Sequence, residues 1–230
     1  MLRILSWNIW CDGNFEEIRK FLAQSAPDII CLQEVLPRGE KPSIIDFLAG
    51  QGYQYAYAPS MAISLRGGGR SEIGNAIFSR RKIIESKIHI LSGEPKRNAL
   101  QAKIDFPSGV LNVFSTHLVH THQKNSDVQN FQIDNLIKVL PTQRTIVAGD
   151  FNAISGSYPI EKMRERLNDA DSGDSGTWSV YPEGCKVCRP TGVNIRLDYI
   201  FTSRDLNVTS ARVEDAKGSD HLPVAVSIEM

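Results

Sequence analysis

Short runs in which apolar and polar residues alternate recur along the whole chain, separated by turn-forming residues. Alternation with a period of two, together with enrichment in β-branched residues, is typical of strands with a buried face. The segments that follow this pattern are LRILSWN, DIICLQE, YQYAYA, GNAIFSR, KIIESKIHIL, NALQAKIDF, VLNVFSTH, RTIVAGD, IRLDYIF, LNVTSARV and LPVAVSIE. We predict a strand at each of them.

Helical spacing of apolar residues interrupts this pattern. In NFEEIRKFLAQSA, the apolar residues Phe15, Ile18 and Leu22 share one helical face, and Pro27 ends the helix. SIIDFLAGQG and residues 126–140 predict two further helices. So many strands do not fit one small open sheet, and their order favours two sheets packed face to face with helices outside. We therefore predict an α/β sandwich of four layers, with the 230 residues forming one domain.

Reactive polar side chains follow or precede many of the predicted strands. Such convergence at strand ends is typical of a ligand pocket, whereas one polar residue at one strand end is an ordinary turn. The residues in question are Asn8, Glu34, His117, Asp150, Asn152, Asp198, Asp220 and His221.

The oxygen ligands in this set narrow the chemistry. Carboxylate and amide oxygens suit Mg²⁺, with Mn²⁺ or Ca²⁺ as alternatives, and do not suit a metal that prefers thiolates. Mg²⁺ is held by few carboxylates and completes its shell with water and phosphate, so a phosphate ester is the predicted substrate class. The imidazoles and the remaining carboxylates would then activate water and assist the leaving group.

Charge and composition exclude little more. Lys plus Arg and Asp plus Glu both total 26, so no net field attracts nucleic acid, and a local patch would have to do so. Candidate patches lie in LRGGGR and SRRK, which ordinary solvated loops explain equally well. No segment has the length of a membrane span and the N-terminus lacks the features of a signal peptide, so we expect a cytoplasmic protein without membrane insertion. The basic candidates are Arg66, Arg70, Arg80, Arg81 and Lys82.

Four cysteines are too few for a disulfide framework in a chain of this length, in agreement with a reducing compartment. Cys185 and Cys188 form a lone C-x-x-C, which needs two more ligands to hold zinc and is otherwise a loop with free thiols. His120 and His122 lack further ligands at zinc-like spacing, so we interpret them as loop histidines.

The stretch SGDSGTW resembles the nucleophile segment of a serine protease. The histidine and the buried acid of a catalytic triad do not accompany it in their usual sequence contexts, so we interpret it as a loop before Trp178.

The order of the polar segments carries a family resemblance. SWNIW, LQEV, GNAIFSR, STHL, GDFNA, LDYIF and SDHLPV resemble, in the same order, the motifs of the endonuclease/exonuclease/phosphatase superfamily, which includes DNase I, exonuclease III-type enzymes, neutral sphingomyelinases and inositol polyphosphate 5-phosphatases. Each motif is weak alone, but their order spans nearly the whole chain. The resemblance implies the DNase I-like fold and a metal-dependent phosphoesterase.

The resemblance also implies roles for individual residues. It makes Glu34 the principal metal carboxylate, with Asn8 beside it and Asp220 at the metal or water. His221 becomes the general base and Asp198 the carboxylate that fixes its tautomer.

Other roles follow from the same resemblance. Asp150 and Asn152 would orient the nucleophile and contact the phosphate, and His117 would contact phosphate or protonate the leaving oxygen. Glu72 is a candidate orienter of His117, and Arg97 a candidate phosphate ligand; a surface position explains either of these two residues equally well.

The substrate predicted first is DNA or another nucleic acid, cleaved by a monomer that needs no protein partner. A phospholipid or an inositol or sugar phosphate is the alternative substrate, since the chain has no long insertion for entering DNA. A non-catalytic interaction domain is a remote alternative, because a fold does not fix a function.

Overall fold

The computed structural model describes residues 1–11, 13–37, 43–64, 69–181 and 185–230. Arg66, one of the basic candidates, lies outside these residues. The described strands are β1 (Leu2–Asn8), β2 (Ile29–Val35), β3 (Gln54–Ser64), β4 (Arg70–Ser79), β5 (Ile83–Ser92), β6 (Arg97–Ile104), β7 (Leu111–His117), β8 (Thr145–Asp150), β9 (Asn168–Asp169), β10 (Asp198–Thr202), β11 (Asn207–Val213) and β12 (Val224–Glu229). The described helices are α1 (Phe15–Ser25), α2 (Ile44–Gly50), α3 (Asp127–Val139) and α4 (Tyr158–Arg166).

The strands form two mixed sheets of six strands each. The first sheet has the order β11-β12-β1-β2-β4-β3, and the second has the order β5-β6-β7-β8-β10-β9. β1 and β2 are parallel, as are β7 and β8, while the other neighbouring strands within each sheet run antiparallel. The predicted α/β sandwich is therefore confirmed.

Three apolar clusters define the layers. The central cluster joins the inner faces of both sheets, with Ile4 and Val226 from the first sheet and Val113 and Ile200 from the second. A second cluster packs α1 and α2 on the outer face of the first sheet. The third packs α3 and α4 on the outer face of the second sheet. The order of layers is thus helices, sheet, sheet, helices, as the amphipathic pattern predicts.

The predicted helices are present with their caps. The side chain of Asn14 accepts a hydrogen bond from the backbone NH of Glu17, and Ser43 forms a capping box with Asp46. The helix α4 and the two-residue strand β9 were not predicted, because α4 is only 9 residues long and presents few apolar positions. In the described part of the chain, no helix has the length and apolar character needed to cross a membrane.

Strand alternation decides which side chains enter the space between the sheets. In β1, Leu2 and Ile4 belong to the central cluster, whereas Leu5 and Trp7 face the helices. Asn8 continues the first set and therefore points between the sheets at the end of the strand. In β8, Ile146 and Ala148 lead in the same way to Asp150. The two polar residues thus meet across the gap between the sheets.

Candidate active site

The predicted polar residues gather at one end of both sheets. Asn8, His117 and Asp150 end β1, β7 and β8, Asp198 begins β10, and His221 shortly precedes β12. The strand directions bring these ends to the same edge, around a cavity of about 370 Å³. The residues that line the cavity are Asn8, Trp10, Cys11, Glu34, His117, His120, His122, Asp150, Asn152, Trp178, Cys185, Asp220 and His221.

Glu34 enters this cavity because β2 is irregular. Ile30 and Leu32 face the helices, so strict alternation would place Glu34 on that side too. The pairing of β2 with β4 shifts register between Leu32 and Val35, and Glu34 has a positive φ of 57°. A bulge re-aims a side chain in this way, and a strained backbone of this type is common at functional sites.

Asn8 links the carboxylates of the two sheets. Its side-chain nitrogen Nδ2 donates to Asp150 Oδ2 at 3.0 Å and to Glu34 Oε1 at 3.3 Å. Its Oδ1 accepts from the backbone NH of Trp10 at 3.0 Å. Cys11 adds a contact of 3.2 Å between its sulfur and Glu34 Oε2. Carboxylates from both sheets therefore share one polar wall of the cavity.

His221 and Asp198 form a buried pair. His221 Nδ1 lies 2.8 Å from Asp198 Oδ2, and the hydroxyl of Thr177 donates to the same oxygen at 2.6 Å. Asp198 is fully buried and its Oδ1 has no hydrogen-bond partner among the described residues. The other ring nitrogen, Nε2, faces the cavity and lies 3.7 Å from Asp150 Oδ2.

The segment before His221 is fixed by the backbone of the first sheet. Ser219 Oγ donates to the carbonyl of Asn8 at 2.6 Å, and the indole NH of Trp7 donates to the carbonyl of His221 at 2.8 Å. Asp220 turns away from the imidazole and accepts from the indole NH of Trp178 at 3.1 Å. The two adjacent residues thus serve different parts of the cavity, as expected for neighbours in an extended segment.

Burial and neighbouring charges raise the proton affinity of His221 and Asp150. Burial opposes a charge on His221, but the carboxylates of Asp198 and Asp150 outweigh it and raise the pKa of His221 to about 10. Burial also raises the pKa of Asp150 to about 7, although the charge of His221 acts in the opposite direction. In the ligand-free protein His221 is therefore an imidazolium at neutral pH.

His117 has the opposite character. Burial, together with the charges of Arg97, His221 and His120, holds the pKa of His117 well below its usual value. Its Nε2 lies 3.5 Å from Asp150 Oδ2. The His117 ring is therefore neutral at pH 7 and offers one donor and one acceptor.

Arg97 begins β6 and is buried. Burial lowers the pKa of Arg97, while the charges of Glu34 and Asp150 act against that shift. Its Nη1 donates to the carbonyl of Lys96, whereas its buried Nε has no partner among the described residues. A guanidinium near two carboxylates with an unused donor is suited to hold an anion.

Asn152 is held rigidly beside Asp150. Its backbone NH donates to Asp150 Oδ1 at 2.8 Å, and its side-chain Nδ2 donates to the carbonyl of Leu118 at 3.1 Å. Gln129 Nε2 from α3 binds the carbonyl of Asn152 at 3.0 Å. The positive φ of 49° at Asn152 is one that asparagine tolerates better than most residues.

The predicted pairing of Glu72 with His117 is wrong. The Glu72 carboxylate is exposed and lies 3.4 Å from Lys96 Nζ, and Glu72 does not line the cavity. Glu72 lies in β4 opposite Ala62 of β3. At this position β4 still pairs with β3 but no longer pairs with β2. The motif order therefore assigned a partner to His117 that the hairpin holds on the surface.

The second basic cluster does not reach the cavity. Arg80, Arg81 and Lys82 follow the end of β4, where Ser79 pairs with Ile29 at the start of β2. Glu34 lies near the opposite end of β2. Arg80 and Arg81 instead pack over the rings of Tyr53 and Phe106.

Several cavity residues were not assigned to the site from sequence. Thr177 and Trp178 belong to the loop after SGDSG, and their contacts with Asp198 and Asp220 depend on tertiary structure. His120, His122 and Cys185 also line the cavity. For Thr177 the sequence carries no signal, since an isolated threonine after glycine is typical of any loop.

A larger cavity of about 830 Å³ lies elsewhere. It is lined by the end of α4, by β9 and by residues 204–208, which follow the end of β10 opposite Asp198. The ion pairs of Asp169 with Arg164 and Arg196 dominate its charged groups. No imidazole or thiol lines it, so the smaller cavity holds the reactive groups.

Sequence comparison identifies the family to which this site belongs. The model of the Endonuclease/Exonuclease/phosphatase family matches residues 5–221. The chain belongs to this family. Members of the endonuclease/exonuclease/phosphatase family are hydrolytic phosphoesterases, so the chain is a phosphoesterase of this type. A sequence comparison with curated proteins gives no match.

Solved structures of the family have the same fold. An endonuclease/exonuclease/phosphatase from Beutenbergia cavernae DSM 12333 has a TM-score of 0.79 at 23% identity, covering 100% of this chain and 71% of that one. The human Nocturnin catalytic domain with bound sulfate has a TM-score of 0.74 at 25% identity, covering 99% and 94%. ANGEL2, a 2′,3′-cyclic phosphatase, has a TM-score of 0.75 at 16% identity, covering 98% and 94%.

Proposed function

We propose that the protein is a divalent-metal-dependent phosphodiesterase that hydrolyses DNA. The observation that carries the proposal is the buried pair of His221 and Asp198, whose free imidazole nitrogen faces Asp150 across the cavity. An imidazole oriented by a buried carboxylate is the arrangement that activates water or transfers a proton in hydrolases.

The proposed role of His221 is to take a proton from the attacking water, once a cation bound beside Asp150 disfavours the imidazolium and leaves Nε2 unprotonated. Asp198 holds Nδ1 as the protonated nitrogen, so Nε2 is the atom that exchanges the proton. Thr177 fixes Asp198 from behind by its short hydrogen bond. Asp150 and Asn152, joined at 2.8 Å, would orient the water and a phosphate oxygen.

The residues on the polar wall fit a divalent cation. Glu34 and Asp150 supply carboxylate oxygens on the same wall, with Asp220 nearby, and such hard oxygen donors suit Mg²⁺, Mn²⁺ or Ca²⁺. Asn8 turns its amide nitrogen to both carboxylates while its Oδ1 accepts from Trp10, so it would join the ligands only after its amide turns over, and as placed it orients the two carboxylates. Ligand atoms of Asp150, Asp198 and His221 also lie within 4.8 Å of one another, but Asp198 and His221 are joined by a hydrogen bond and have the proposed roles of base and orienting carboxylate. Glu34 is therefore the proposed principal ligand, with Asn8 beside it. A bound cation would neutralise charge on the phosphate and lower the pKa of the attacking water.

The phosphate would meet His117, which lines the cavity, and the proposed second contact is Arg97, which is not among the lining residues but acts by its charge on His117. Arg97 has an unused buried Nε, and the neutral His117 has a nitrogen available for a phosphate or leaving oxygen. Nocturnin, which has the same fold, carries a sulfate anion in its structure. The neutral His117 ring, 3.5 Å from Asp150, and the unused donor of Arg97 support an anion site beside Asp150.

Two features of the rim favour a nucleic acid as the substrate. Trp10 is 43% exposed, lines the cavity and lies against Tyr181 with ring centroids 5.6 Å apart, which forms a surface for stacking a base. Lys186 and Arg189 are exposed on the loop that contains Cys185. Cations on the rim would contact the phosphates that flank the cleaved bond.

A substrate panel tests the proposal. Plasmid DNA, single-stranded DNA, an abasic duplex, a 2′,3′-cyclic nucleotide, a sphingomyelin analogue and phosphorylated inositols would be assayed side by side with Mg²⁺. We expect turnover of a DNA substrate to exceed that of the lipid and inositol substrates. Preference for the lipid or an inositol phosphate would reject DNA as the substrate while keeping phosphoester hydrolysis.

Substitution of Glu34 by glutamine tests the cation site. The neutral amide removes one anionic ligand, so the Mg²⁺ concentration for half-maximal activity should rise roughly tenfold or more, the loss seen even for residues that only orient a ligand. Glu72→Gln is the matched control, because this carboxylate is exposed and paired with Lys96. An unchanged Mg²⁺ titration of Glu34→Gln would remove Glu34 from the ligand set.

The salt dependence of DNA binding tests the rim. Each lost phosphate contact lowers the slope of log K against log salt by about 0.9, so Lys186→Ala with Arg189→Ala should reduce it by about 2. The measurement uses the His221→Ala background to prevent cleavage. The control is the double variant Lys82→Ala with Lys87→Ala. Lys82 follows β4 at the end of the sheet that is far from Glu34, and Lys87 is exposed in β5. Equal slopes for both pairs would remove the rim loop from the DNA contacts.

A further inference from the structure

Four metal-binding side chains converge beside the candidate active site. His120 and His122 follow β7, while Cys185 and Cys188 lie more than sixty residues further along the chain. One ligand atom from each lies within 4.8 Å of the other three. In the sequence, H-x-H and C-x-x-C each supply only two ligands. The fold brings the two pairs together, so that they supply four.

The distances fit one small cation. His120 Nε2 and His122 Nδ1 are 3.0 Å apart, the two sulfurs are 3.0 Å apart, three of the four nitrogen-to-sulfur separations are 3.3, 3.5 and 3.7 Å, and the fourth is within 4.8 Å. Zn–S and Zn–N bonds of about 2.3 and 2.0 Å at tetrahedral angles give edges of roughly 3.3 to 3.8 Å. An ion at the centre would therefore require the two imidazole nitrogens to move apart by about 0.3 Å and the two sulfurs by about 0.8 Å.

The surroundings of His120 prepare it as a ligand. Its Nδ1 lies 2.7 Å from Asn152 Oδ1, and the Asn152 amide nitrogen is committed to the carbonyl of Leu118 and to Asp150. Asn152 therefore presents an acceptor, so His120 Nδ1 must carry the proton and Nε2 is left as a lone pair aimed at the cluster. A hydrogen bond of this kind on the second nitrogen is the usual support of a zinc-binding histidine.

We propose that His120, His122, Cys185 and Cys188 bind a structural zinc ion. Two thiolates and two imidazoles form a closed tetrahedral set with no open position, which is the pattern of a structural and not a catalytic zinc site. This set contains none of the carboxylates proposed for Mg²⁺. Oxygen ligands define one site and sulfur and nitrogen ligands the other, so the two metals are selected by different chemistry.

The zinc ion would fix the rim of the active site. It would join the loop that carries Lys186 and Arg189 to the segment after His117, across a cavity that His120, His122 and Cys185 all line. Through His120 it would also hold Asn152, whose Nδ2 lies 3.3 Å from Asp150 Oδ2. Zinc would therefore position the rim and Asn152 without taking part in the reaction.

Metal content of the purified protein tests the proposal directly. Protein purified under reducing conditions with zinc in the medium should contain about one zinc ion per chain. Cys188→Ser should weaken zinc retention against a competing chelator by roughly tenfold or more. Cys11→Ser is the matched control, because Cys11 contacts Glu34 and is not part of the cluster. Zinc-free wild-type protein, or equal retention in both variants, would overturn the site.

Cobalt provides a measurement that does not depend on how a variant folds. Co²⁺ added to metal-free wild-type protein should give the visible bands of a tetrahedral ion and a thiolate charge-transfer band, and Zn²⁺ should displace both. His122→Ala should lose the tetrahedral bands, whereas His89→Ala, which removes a histidine of β5, should keep them. A spectrum typical of octahedral oxygen coordination would contradict the proposal, as would a Cys185–Cys188 disulfide that forms in place of metal uptake.

Proteolysis reports on the rim itself. Lys186 is exposed between the two cysteines, so trypsin should cleave after it faster once zinc is removed, and added Zn²⁺ should restore protection. Cys188→Ser should be cleaved at the rate of the zinc-free protein whether or not zinc is present. If the rate of cleavage of wild-type protein were the same with and without zinc, the ion would not hold this loop.

Discussion

His221→Ala lowers kcat by roughly 10²- to 10⁴-fold at saturating Mg²⁺, the contribution typical of a positioned general acid or base, while KM changes little. The reason is that, in the described part of the chain, His221 is the one imidazole of the cavity that shares a hydrogen bond with a buried carboxylate. Asp198→Asn should approach the same loss, since the amide cannot hold the imidazole in the required tautomer. Wild-type turnover in either variant would refute the assignment.

The same pair gives a measurable titration. In metal-free protein, NMR should find the imidazole of His221 still protonated at neutral pH, because the carboxylates of Asp198 and Asp150 raise its pKa to about 10. Asp198→Asn removes a negative charge that favours the imidazolium, so the pKa of His221 must fall. In the activity assays of His221→Ala and Asp198→Asn, the control variant is His89→Ala, because this histidine binds Gln101 in the neighbouring strand β6 and lies outside the cavity. An unchanged His221 pKa in Asp198→Asn would show that the pair is not coupled.

The fold could be predicted because it depends on repeated local signals. Alternation located the strands on both sides of the central cluster, and the helical spacing of apolar residues located α1, α2 and α3, of which the first two begin after the caps Asn14 and Ser43 in the structure. The helix α4 escaped because its buried face consists of Pro159, Ile160 and Met163, which is too little to distinguish from a loop. Prediction succeeded where a pattern repeats and failed where an element is short.

The residues of the candidate site also divide into those that a strand pattern predicts and those that it does not. Asn8 and Asp150 continue the alternation of their strands, so the sequence pattern already points them between the sheets. Glu34 was assigned from its place at a strand end and from its motif, whereas the alternation of its strand aims it at the helices and only the bulge in β2 turns it. Glu72 was assigned by the same kind of evidence and was wrong, since a motif position does not specify where a hairpin carries its side chain.

Long-range pairs were beyond sequence patterns altogether. The contact of Thr177 with Asp198 and the approach of His122 to Cys188 join loops that no periodicity relates. Each half was weighed separately against a zinc site: the cysteine pair was left open for want of two more ligands, and the histidine pair was interpreted as loop residues. Two incomplete motifs of complementary chemistry in one chain are therefore better tested jointly than one at a time.

Removal of the C-terminal strand should have the largest effect on stability. A chain that ends at Asp215 lacks β12, which lies between β1 and β11 and buries Val224, Val226 and Ile228 in the central cluster. Burial of three such side chains contributes about 5 to 9 kcal/mol. This loss is comparable with the total stability of a typical domain, about 5–15 kcal/mol, and it leaves two strand edges unpaired.

We expect the truncated chain to lack a cooperative thermal transition in circular dichroism and to have no activity. A chain that ends at Glu229 is the matched control, because Met230 is exposed and follows β12. The full-length His221→Ala variant separates the two consequences of truncation, since it should keep the transition and lose only activity. A truncated chain that melts cooperatively and hydrolyses DNA would show that neither β12 nor His221 is needed, which would contradict the proposed site and the packing that supports it.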